Sequence, residues 1–561
     1  MTELLKVENL RTYFETERGI VKSVDGISFE VGKGEIFGLV GESGSGKSIT
    51  GFSLIGLLDA NGKVQPGSSV RLEGREIVGL PDQELRKIRG REIAMVFQDP
   101  MMTLNPVLKI VDQIAMAIRA HEKASDQDVR RRAIEALARV RIVEPEKKID
   151  QYPHQFSGGM RQRVAIAIAL LHKPKLVIAD EPTTALDVSV QADILKEMKA
   201  LVAELGVSMI WISHDLATVS QISQRIAVMR RGKIVETGSV TQVLGTPQHS
   251  YTQGLLDALP SRARPGELLA SAATESSGPI VLDDLAKAAP KAADGAFVQV
   301  DDVDMVFERP VGRVGRFTQK LGMSQPPHAV HAVRDASLTI AQGEVLGLVG
   351  ESGSGKSTLG RIICGIYTPT AGTVTVAGRK VREGQRKLGT GVQMIFQDPY
   401  ASLDPRRTIF QSVAEGPLAH GLTTRSSARA YVNRWLKAVA FDPALGDRYP
   451  HQFSGGQRQR IAIARALAMQ PELIVCDEPV ASLDVSIQAQ VINLLIELRR
   501  TLNLTLLFIS HDLSVVRHLC DRVVVMHHGR IVEEAEVGQL FEAPSQAYTR
   551  MLLDAVPKLA V

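Results

Sequence analysis

Short, uninterrupted aliphatic runs recur along the chain. The runs "GEIFGLV" and "EVLGLV" lead into glycine-rich segments, "KLVIAD" and "ELIVCD" end on an aspartate, and "SMIWIS" and "TLLFIS" end on a serine. Such runs are typical of strands that are buried on both faces of a parallel sheet. The segments "DQDVRRRAIEALARVRIV" and "SSARAYVNRWLKAVAF" instead have a helical spacing of apolar residues. The pattern therefore predicts an α/β fold class with two cores, each carrying a helical insertion.

The runs and the motifs beside them occur twice in one order. "GLVGESGSGKS" lies at 38–48 and 347–357, an offset of 309 (347 − 38). "FQDP" follows at 97–100 and 396–399, "YPHQFSGG" at 152–159 and 449–456, "DEP" at 180–182 and 477–479, and "ISHDL" at 212–216 and 509–513, the last with an offset of 297 (509 − 212). A repeat of this length indicates a duplicated domain rather than a solenoid.

Composition places the domain boundaries. Residues 261–297 are rich in Ala, Ser, Pro and Gly and lack sustained periodicity, which is typical of a linker. We therefore predict a first domain at 1–260, a linker at 261–297 and a second domain at 298–561. An insertion at 308–328 carries several Arg and Lys residues; it is interpreted as a solvated basic loop, with a membrane-surface contact as the alternative.

Bulk properties exclude several classes of protein. A chain of 561 residues is too long for one hydrophobic core. Aromatic residues make up only 4% of the chain, which argues against a protein that binds nucleic acid mainly by stacking aromatic side chains on bases. The net charge of +4 is only a weak indication of anionic partners. Its three cysteines match no metal or disulfide spacing. We find no signal peptide and no apolar run of membrane-spanning length, so we expect a soluble or membrane-peripheral protein.

The two glycine-rich segments fit the P-loop pattern G-x-x-x-x-G-K-[ST]. Glycines let main-chain N–H groups wrap around phosphates, the lysine neutralises the β- and γ-oxygens, and the serine can ligate Mg²⁺. The loop residues are Gly41, Glu42, Ser43, Gly44, Ser45, Gly46, Lys47 and Ser48, and Gly350, Glu351, Ser352, Gly353, Ser354, Gly355, Lys356, Ser357 and Thr358. An ordinary strand–turn–helix glycine turn is the alternative, but two matches at equivalent repeat positions leave little room for it.

Acidic residues and a histidine follow the other buried runs. Asp180 and Asp477 end their strands, where a Mg²⁺-supporting acid is expected, and each is followed by a glutamate that could polarise a hydrolytic water, Glu181 and Glu478. His214 and His511 end the next strand in each copy and suggest a contact to the γ-phosphate. A loop-capping acid and a structural histidine are the alternatives, and repetition disfavours both.

A Ser-Gly-Gly triplet begins a predicted helix in each copy. Ser157, Gly158 and Gly159 form the first triplet, and Ser454, Gly455 and Gly456 form the second. Exposed N–H groups at a helix start can bind an anion, whereas a simple serine N-cap is the alternative.

Together the P-loop, Gln98 or Gln397, Ser-Gly-Gly, Asp-Glu and His resemble the nucleotide-binding domain of ABC (ATP-binding cassette) ATPases, twice and over nearly the whole chain. The resemblance implies that two cassettes pair head to tail, with each ATP between one P-loop and the other copy's Ser-Gly-Gly. Site one would join Lys47, Ser48, Gln98, Asp180, Glu181 and His214 to Ser454, Gly455 and Gly456. Site two would join Lys356, Ser357, Gln397, Asp477, Glu478 and His511 to Ser157, Gly158 and Gly159.

The resemblance also implies individual roles. The catalytic residues would be Glu181, Glu478, His214, His511, Gln98 and Gln397, and the Mg²⁺ ligands Ser48, Gln98, Asp180, Ser357, Gln397 and Asp477. Asp187 and Asp484 match the D-loop, and Phe14 and Phe307 match the aromatic position that stacks on adenine, with Tyr13 and core packing as alternatives. Met160 replaces the usual Gln after the first triplet, so we expect site two to close less tightly.

Longer segments around these motifs are similar to those of importer ATPase subunits. "YPHQFSGGMRQR" and "FQDPYASLDP" look like the two ATPase subunits of oligopeptide, dipeptide and nickel importers, fused in one chain, and the tails at 246–260 and 543–557 resemble that family's C-terminal extension. The resemblance implies a motor on the cytoplasmic face of the bacterial inner membrane that uses ATP and Mg²⁺. It would drive two transmembrane permease subunits supplied by an extracytoplasmic substrate-binding protein.

Further details follow from the same similarity. Segments Met101–Pro106 and Tyr400–Pro405 would contact the permeases, or serve as packing turns. With no cysteine in either tail, we predict no iron–sulfur cluster. Peptide is the expected cargo, with glutathione, a peptide antibiotic and nickel also open. The alternative is a tandem-cassette ATPase that acts on ribosomes or nucleic acid; we expect no nucleic-acid partner.

Overall fold

In the computed structural model, each aliphatic run predicted to be a strand lies in a six-stranded sheet. The structure describes residues 2–17, 19–99, 103–183, 186–270, 296–307, 329–383, 386–387, 389–481 and 483–560. Outside these residues lie the predicted basic insertion 308–328, most of the predicted linker (271–295), and Met101 and Met102 of the first predicted permease-contact segment. The chain forms two units, Met1–Leu256 with Ala555–Val561, and Asp257–Asp554. The boundaries inferred from composition stay a prediction.

The first unit contains eleven described strands and nine described helices. Its strands are β1 (Glu3–Thr16), β2 (Gly19–Gly32), β3 (Ile36–Val40), β4 (Gly62–Val64), β5 (Ser69–Leu72), β6 (Arg75–Glu76), β7 (Ile93–Val96), β8 (Leu176–Asp180), β9 (Ser208–Ser213), β10 (Arg225–Arg230) and β11 (Lys233–Ser239). Its helices are α1 (Lys47–Leu54), α2 (Asp82–Ile88), α3 (Ile110–Arg119), α4 (Asp126–Arg139), α5 (Pro145–Lys148), α6 (Gly158–Leu170), α7 (Val188–Leu205), α8 (Leu216–Ile222) and α9 (Ser250–Asp257). A π-helical turn, Thr241–Gly245, precedes α9.

The six-stranded sheet of this unit has the order β11-β10-β3-β9-β8-β7. All neighbours except β10 and β11 are parallel, and β3, β8 and β9 are buried throughout. In the register, Val40 pairs with Ser213 and Asp180 with Ile212. The carboxyl ends of β3, β8 and β9 therefore meet at one edge of the sheet, which is where ligands bind in open α/β sheets.

A second, antiparallel sheet packs on the first. It has the order β2-β1-β5-β6, with β4 also paired to β1. Leu5, Val7 and Leu10 of β1 share one buried cluster with Phe37 of β3 and Ile178 of β8, so the core lies between the two sheets. The helical insertion follows β7: α3 packs against α4, and α4 against α6.

The second unit repeats this plan. Its strands are β12 (Val298–Phe307), β13 (Val330–Ile340), β14 (Val345–Val349), β15 (Ala371–Val376), β16 (Arg379–Lys380), β17 (Arg382–Glu383), β18 (Arg386–Lys387), β19 (Val392–Ile395), β20 (Leu473–Asp477), β21 (Thr505–Ile509), β22 (Arg522–His527) and β23 (Arg530–Glu536). Its helices are α10 (Lys356–Ile363), α11 (Pro399–Ser402), α12 (Ile409–Ala419), α13 (Ala428–Ala438), α14 (Gly455–Leu467), α15 (Val485–Leu502), α16 (Leu513–Leu519), α17 (Val537–Glu542) and α18 (Ala547–Ala555). The large sheet has the order β19-β20-β21-β14-β22-β23 and the smaller one β13-β12-β15-β16.

Part of the predicted linker is packed in the second unit. Leu269 is buried, and its main-chain N–H and C=O both hydrogen-bond to the side-chain amide of Asn493, at 2.8 Å each. The His518 imidazole also contacts the carbonyl of Glu267 at 2.9 Å. Its linker-like composition therefore did not indicate that this stretch is held by specific contacts. Among the described helices, none is both long and apolar enough to cross a membrane.

Candidate nucleotide-binding sites

The first P-loop follows directly from the buried strand β3. Gly41 and Gly46 have φ of +152° and +102°, a region that favours glycine. A Cβ on Gly41 would lie 2.3 Å from the carbonyl oxygen of Met229, and one on Gly46 would lie 2.3 Å from that of Ser23. Glycine is therefore required at both positions, and the close approach holds the loop against the end of β10 and against β2.

The second P-loop has the same construction. Gly350 and Gly355 have φ of +145° and +105°. An added Cβ would lie 2.2 Å from the carbonyl oxygen of Met526 and 2.3 Å from that of Ala332, respectively. The two copies of the identical sequence therefore adopt the same loop geometry.

The side chains of the P-loop lysines are buried and donate hydrogen bonds to main-chain carbonyls of their own loops. Lys47 is only 4% exposed, and its ammonium donates to the carbonyls of Gly41 (2.7 Å) and Glu42 (3.0 Å). Lys356 makes the equivalent bonds to Gly350 (2.7 Å) and Glu351 (2.8 Å). Each loop therefore places a buried positive charge among main-chain groups, which suits a phosphate.

An oxygen-rich pair lies beside each lysine. The Ser48 hydroxyl donates to Asp180 Oδ1 at 3.0 Å, and Ser357 donates to Asp477 Oδ1 at 2.8 Å. Burial raises the pKa of Asp180 to about 6, with a further upward contribution from the neighbouring Glu181 carboxylate, and burial also raises the pKa of Asp477. A buried carboxyl group of this kind is one that a bound cation would hold in its charged form.

Hydroxyl and carboxylate oxygens are ligands that Mg²⁺ prefers, so these residues fit the predicted ion. No group of three or more His, Cys, Asp or Glu side chains suited to a metal occurs in the described parts of the chain. The predicted Mg²⁺ ligands are of another kind, because serine and glutamine side chains complete the set.

The predicted catalytic side chains of the first unit meet at the edge of the sheet. Glu181 Oε2 accepts a hydrogen bond from Gln98 Nε2 at 2.9 Å and lies 3.1 Å from His214 Nδ1. Glu181 has φ of +44°, and its N–H donates to the carbonyl of Ile212 at 2.9 Å. This left-handed conformation costs a non-glycine residue about 1 kcal/mol or more, and such strain is concentrated at functional sites.

The second unit repeats the arrangement. Gln397 Nε2 donates to Glu478 Oε2 at 2.7 Å, His511 Nδ1 lies 3.3 Å from the same oxygen, and Glu478 has φ of +49°. Burial raises the pKa of Glu478, but the hydrogen bond and charge of His511, with smaller contributions from Lys356 and Gln397, outweigh burial and lower it overall. Glu478 is therefore ionised at neutral pH, as a general base must be.

The two glycines of each Ser-Gly-Gly triplet have different surroundings. A Cβ on Gly159 would lie 2.5 Å from Val190 Cγ1 of α7, whereas one on Gly158 would meet its nearest neighbour, Leu186, at an ordinary 3.7 Å. The second triplet repeats both distances closely, at 2.3 Å for Gly456 and 3.7 Å for Gly455. Helix packing thus explains the second glycine of each triplet but not the first.

The serine of each triplet caps the N-terminus of its helix, as the alternative to anion binding predicted. The Ser157 hydroxyl accepts from the N–H of Met160 at 3.3 Å, and that of Ser454 accepts from Gln457 at 3.4 Å. Gln457 also accepts from the N–H of Ser454 at 3.1 Å, which completes a capping box that Met160 cannot form. The first helix therefore keeps its serine cap but lacks the second hydrogen bond of the capping box; the weaker closure of site two stays a prediction.

The remaining predicted residues, the D-loop aspartates and the aromatic candidates for adenine stacking, make local contacts within their own units. Asp187 and Asp484 precede α7 and α15 as N-cap residues. Phe14 packs against Gly62, where a Cβ would lie 2.6 Å from its ring, and Phe307 is 38% exposed with its ring edge-on to Tyr367. Tyr13, the alternative aromatic residue, donates its hydroxyl to Asp25 at 2.6 Å.

The sequence analysis missed two tyrosines that contact the P-loops, Tyr251 and Tyr548. Both lie in the C-terminal helices, 297 residues apart, within "SYTQGLL" and "AYTRMLL". Their repetition at equal register was the available signal.

A P-loop after β3, with an Asp-Glu pair at the end of β8 two strands away in the same parallel sheet, is typical of a P-loop NTPase. The ABC transporter family model matches residues 24–184 and 333–481, and the model of the oligopeptide/dipeptide transporter C-terminal region matches residues 235–283 and 532–561. The glutathione import ATP-binding protein GsiA of Pectobacterium atrosepticum is 42% identical over 567 residues, which covers 99% of this chain and 89% of the relative. GsiA of Escherichia coli K12 is 43% identical over 568 residues, with the same coverage.

A solved structure, the ATP-binding cassette MJ0796 bound to ADP and Pi in a dimeric post-hydrolysis state, is 31% identical and covers 42% of this chain and 98% of its own, with a TM-score of 0.38. From the family model and the relatives, the chain belongs to the ABC transporter family, whose ATP-binding proteins hydrolyse ATP to power transport. The predicted pair of fused importer-type cassettes is confirmed, and the ribosome or nucleic-acid alternative is not favoured.

Proposed function

We propose that this chain is the ATP-hydrolysing motor subunit of a bacterial importer for small peptides, and that it energises two separate permease subunits supplied by an extracytoplasmic binding protein. Its location would be peripheral, on the cytoplasmic face of the inner membrane. Similarity to glutathione import ATP-binding proteins over 99% of the chain supports this proposal, as do the two matches to the oligopeptide/dipeptide transporter C-terminal region. Glutathione, a tripeptide, is the first cargo to test.

One observation carries the proposal of a two-site motor. In both units the same oxygen of the glutamate, Glu181 or Glu478, is held by a glutamine amide and faces a histidine ring nitrogen. Neither unit has lost a member of this set. A chain that needed only one working site, or only nucleotide binding, would not have to keep both.

The roles follow from position and chemistry. Lys47 and Lys356 neutralise the β- and γ-phosphate oxygens of ATP. Ser48, Asp180 and Gln98 would hold Mg²⁺ in the first cassette, with Ser357, Asp477 and Gln397 in the second, and the ion supplies positive charge to the phosphates when bound.

The glutamate of each site acts on the water. Glu181 orients it and accepts its proton as its oxygen attacks the γ-phosphorus and the bond to ADP breaks. His214 contacts the γ-phosphate and, through its 3.1 Å contact, keeps the Glu181 carboxylate in place. Glu478 and His511 act in the same way in the second cassette.

We further propose that the two cassettes pair head to tail within the chain. Each ATP would then be closed by the other cassette's Ser-Gly-Gly, with Gly158 and Gly455 presenting bare main chain to the phosphates. The absence of any packing reason for these two glycines supports this. Closure on two ATP molecules would change the permease conformation, and hydrolysis would reset it.

The permease contact is assigned to the segments after Gln98 and Gln397. Tyr400 is 46% exposed, which suits a docking residue, whereas Leu104 and Leu403 are buried and act as packing residues. Each segment therefore combines a packed anchor with exposed positions.

The test is a tagged pull-down from detergent-solubilised native membranes. The Glu181→Gln/Glu478→Gln variant with Mg-ATP should hold the closed state and co-purify two multi-span permeases. The matched control, Lys47→Ala/Lys356→Ala, should recover less of them, because it cannot bind ATP productively. Ribosomes or nucleic acid without any membrane protein would contradict the transport proposal.

A further inference from the structure

The C-terminal helix of the first unit contacts its P-loop directly. Tyr251 of α9 is 4% exposed, and its hydroxyl donates to Glu42 Oε2 at 2.9 Å. Glu42 immediately follows Gly41, and its carbonyl accepts from the P-loop lysine. The phenol therefore holds a residue whose main chain is part of the phosphate-binding loop.

The second unit has the same contact in a different form. The N–H of Glu351, which follows Gly350, donates to the hydroxyl oxygen of Tyr548 of α18 at 3.2 Å. The ring of Tyr548 stacks on His527, with centroids 3.9 Å apart. In the first unit the equivalent position is Arg230, whose guanidinium lies 4.7 Å from the centre of the Tyr251 ring.

Both C-terminal helices are fixed to the edge strand of the large sheet, which pairs with the strand that borders their P-loop. Glu236 of β11 accepts from the N–H groups of Gln248 (2.8 Å) and His249 (3.1 Å), just before α9. Glu533 of β23 accepts from Ser545 (2.6 Å) and Gln546 (3.1 Å), just before α18. These hydrogen bonds fix the start of each C-terminal helix and so hold its tyrosine next to the P-loop.

The turn beside that strand also binds the loop. The N–H of Gly232 donates to the carbonyl of Ser45 at 2.9 Å, and that of Gly529 donates to Ser354 at 3.0 Å. Loop, hairpin and C-terminal helix therefore form one connected group in each unit. A change at the helix can reach the loop through a single hydrogen bond.

The contact in the first unit has an electrostatic consequence. The Glu42 carboxylate is confined by its own main chain to the neighbourhood of the loop that receives the triphosphate. Burial, followed by the Glu42 carboxylate, raises the pKa of Tyr251, so the phenol stays protonated and donates at every physiological pH. Hydrogen bonds to charged groups are strong, and this one holds the Glu42 carboxylate against α9.

We propose that Tyr251 and Tyr548 are positioning residues for ATP binding: each fastens the residue after the first P-loop glycine to the C-terminal helix and so fixes the loop in its phosphate-binding conformation. This inference rests on the proposed ATP sites. It gives the C-terminal region a role within nucleotide binding itself. In the first unit the tyrosine also turns a carboxylate away from the phosphates.

The test measures Mg-ATP binding at one loop of the full-length chain. In a Lys356→Ala background, which disables the second P-loop, Tyr251→Phe should weaken Mg-ATP binding about tenfold or more, as expected for loss of a hydrogen bond to a charged group. Adding Glu42→Gln should restore only part of the affinity, because it removes the released carboxylate but does not replace the hydrogen bond that fastens the loop. Tyr548→Phe, the matched control, should leave the Kd of the first loop unchanged.

A steady-state readout separates positioning from general destabilisation. In the otherwise unmodified chain, Tyr251→Phe should raise the KM for ATP and leave kcat unchanged. An unchanged Kd for Tyr251→Phe, or a Kd that Glu42→Gln restores completely, would overturn the inference alone. A parent chain that binds no Mg-ATP would overturn the proposed function as well.

A second variant covers failure of the first to fold. In a Lys47→Ala background, Tyr548→Phe removes the oxygen that accepts from Glu351 and should weaken binding at the second loop by a similar factor. Equal affinity with and without the Tyr548 hydroxyl would contradict the proposal there.

Discussion

Replacing Asp180 by asparagine should stabilise the ligand-free first unit while it abolishes hydrolysis at that site. Burial raises the pKa of Asp180 from its ordinary 3.8 to about 6, so ionising it in the folded chain is unfavourable. The difference corresponds to about 3 kcal/mol of folding free energy. Asparagine removes this cost and can still accept the hydrogen bond that Ser48 donates.

The sign of the pH dependence follows from the raised pKa. The folded state binds the proton more tightly than the unfolded state, so the wild-type chain loses stability as pH rises through about 6. The gain from Asp180→Asn should be about 3 kcal/mol at pH 8 and roughly half of that at pH 5. Mg-ATP should reverse the order, because only the wild-type site can be stabilised by the complex.

The two tryptophans make the measurement specific to one unit. Trp211 of β9 pairs with Ala179, next to Asp180, and is fully buried, while Trp435 lies in the second unit. Urea unfolding is followed by Trp211 fluorescence in a Trp435→Phe background with EDTA. Asp477→Asn serves as the control and should leave the Trp211 transition unchanged. No gain at pH 8, or the same gain at pH 5 and pH 8, would refute the reasoning.

Further predictions concern the Ser-Gly-Gly triplet. Gly159→Ala should destabilise the chain by about 1–3 kcal/mol in urea unfolding, because its Cβ would lie 2.5 Å from Val190, and unchanged stability would contradict the packing argument. Gly158→Ala should keep the free energy of unfolding within about 0.5 kcal/mol of wild type yet lower ATPase activity. Full ATPase activity in this variant would indicate that the triplet has only a structural role. Met160→Gln should complete the missing capping box and raise stability by about 0.5–1 kcal/mol, with Gln457→Met losing a similar amount.

Much of the fold could be predicted because its central strands are buried on both faces. The runs that became β3, β8 and β9 carry almost no polar residue, so their pattern was distinctive. The antiparallel sheet was not predicted. Its long strand β1 is interrupted by register shifts near Val7, Leu10 and Thr12, which break the alternation of apolar and polar residues that marks such strands.

The identity of most site residues could be predicted from the sequence, but the geometry in which they meet could not. The repeated motifs identified Glu181 and His214, and the family resemblance added Gln98, but neither indicated that Gln98 and His214 meet at one oxygen of Glu181. The contact between Tyr251 and Glu42 joins residues 209 positions apart, and only the folded chain reveals it. Distances of this kind depend on tertiary packing, which local sequence does not encode.

The most direct test of the central claim is ATP hydrolysis by the complex in proteoliposomes. The complex is assembled from this chain, the two proposed permeases and the proposed binding protein, and glutathione is the first peptide tried. The account predicts that hydrolysis requires the permeases, rises when peptide-loaded binding protein is added, and is lost in the Glu181→Gln/Glu478→Gln variant together with peptide uptake. Hydrolysis that is indifferent to permease and binding protein, or uptake that survives in the variant, would contradict it.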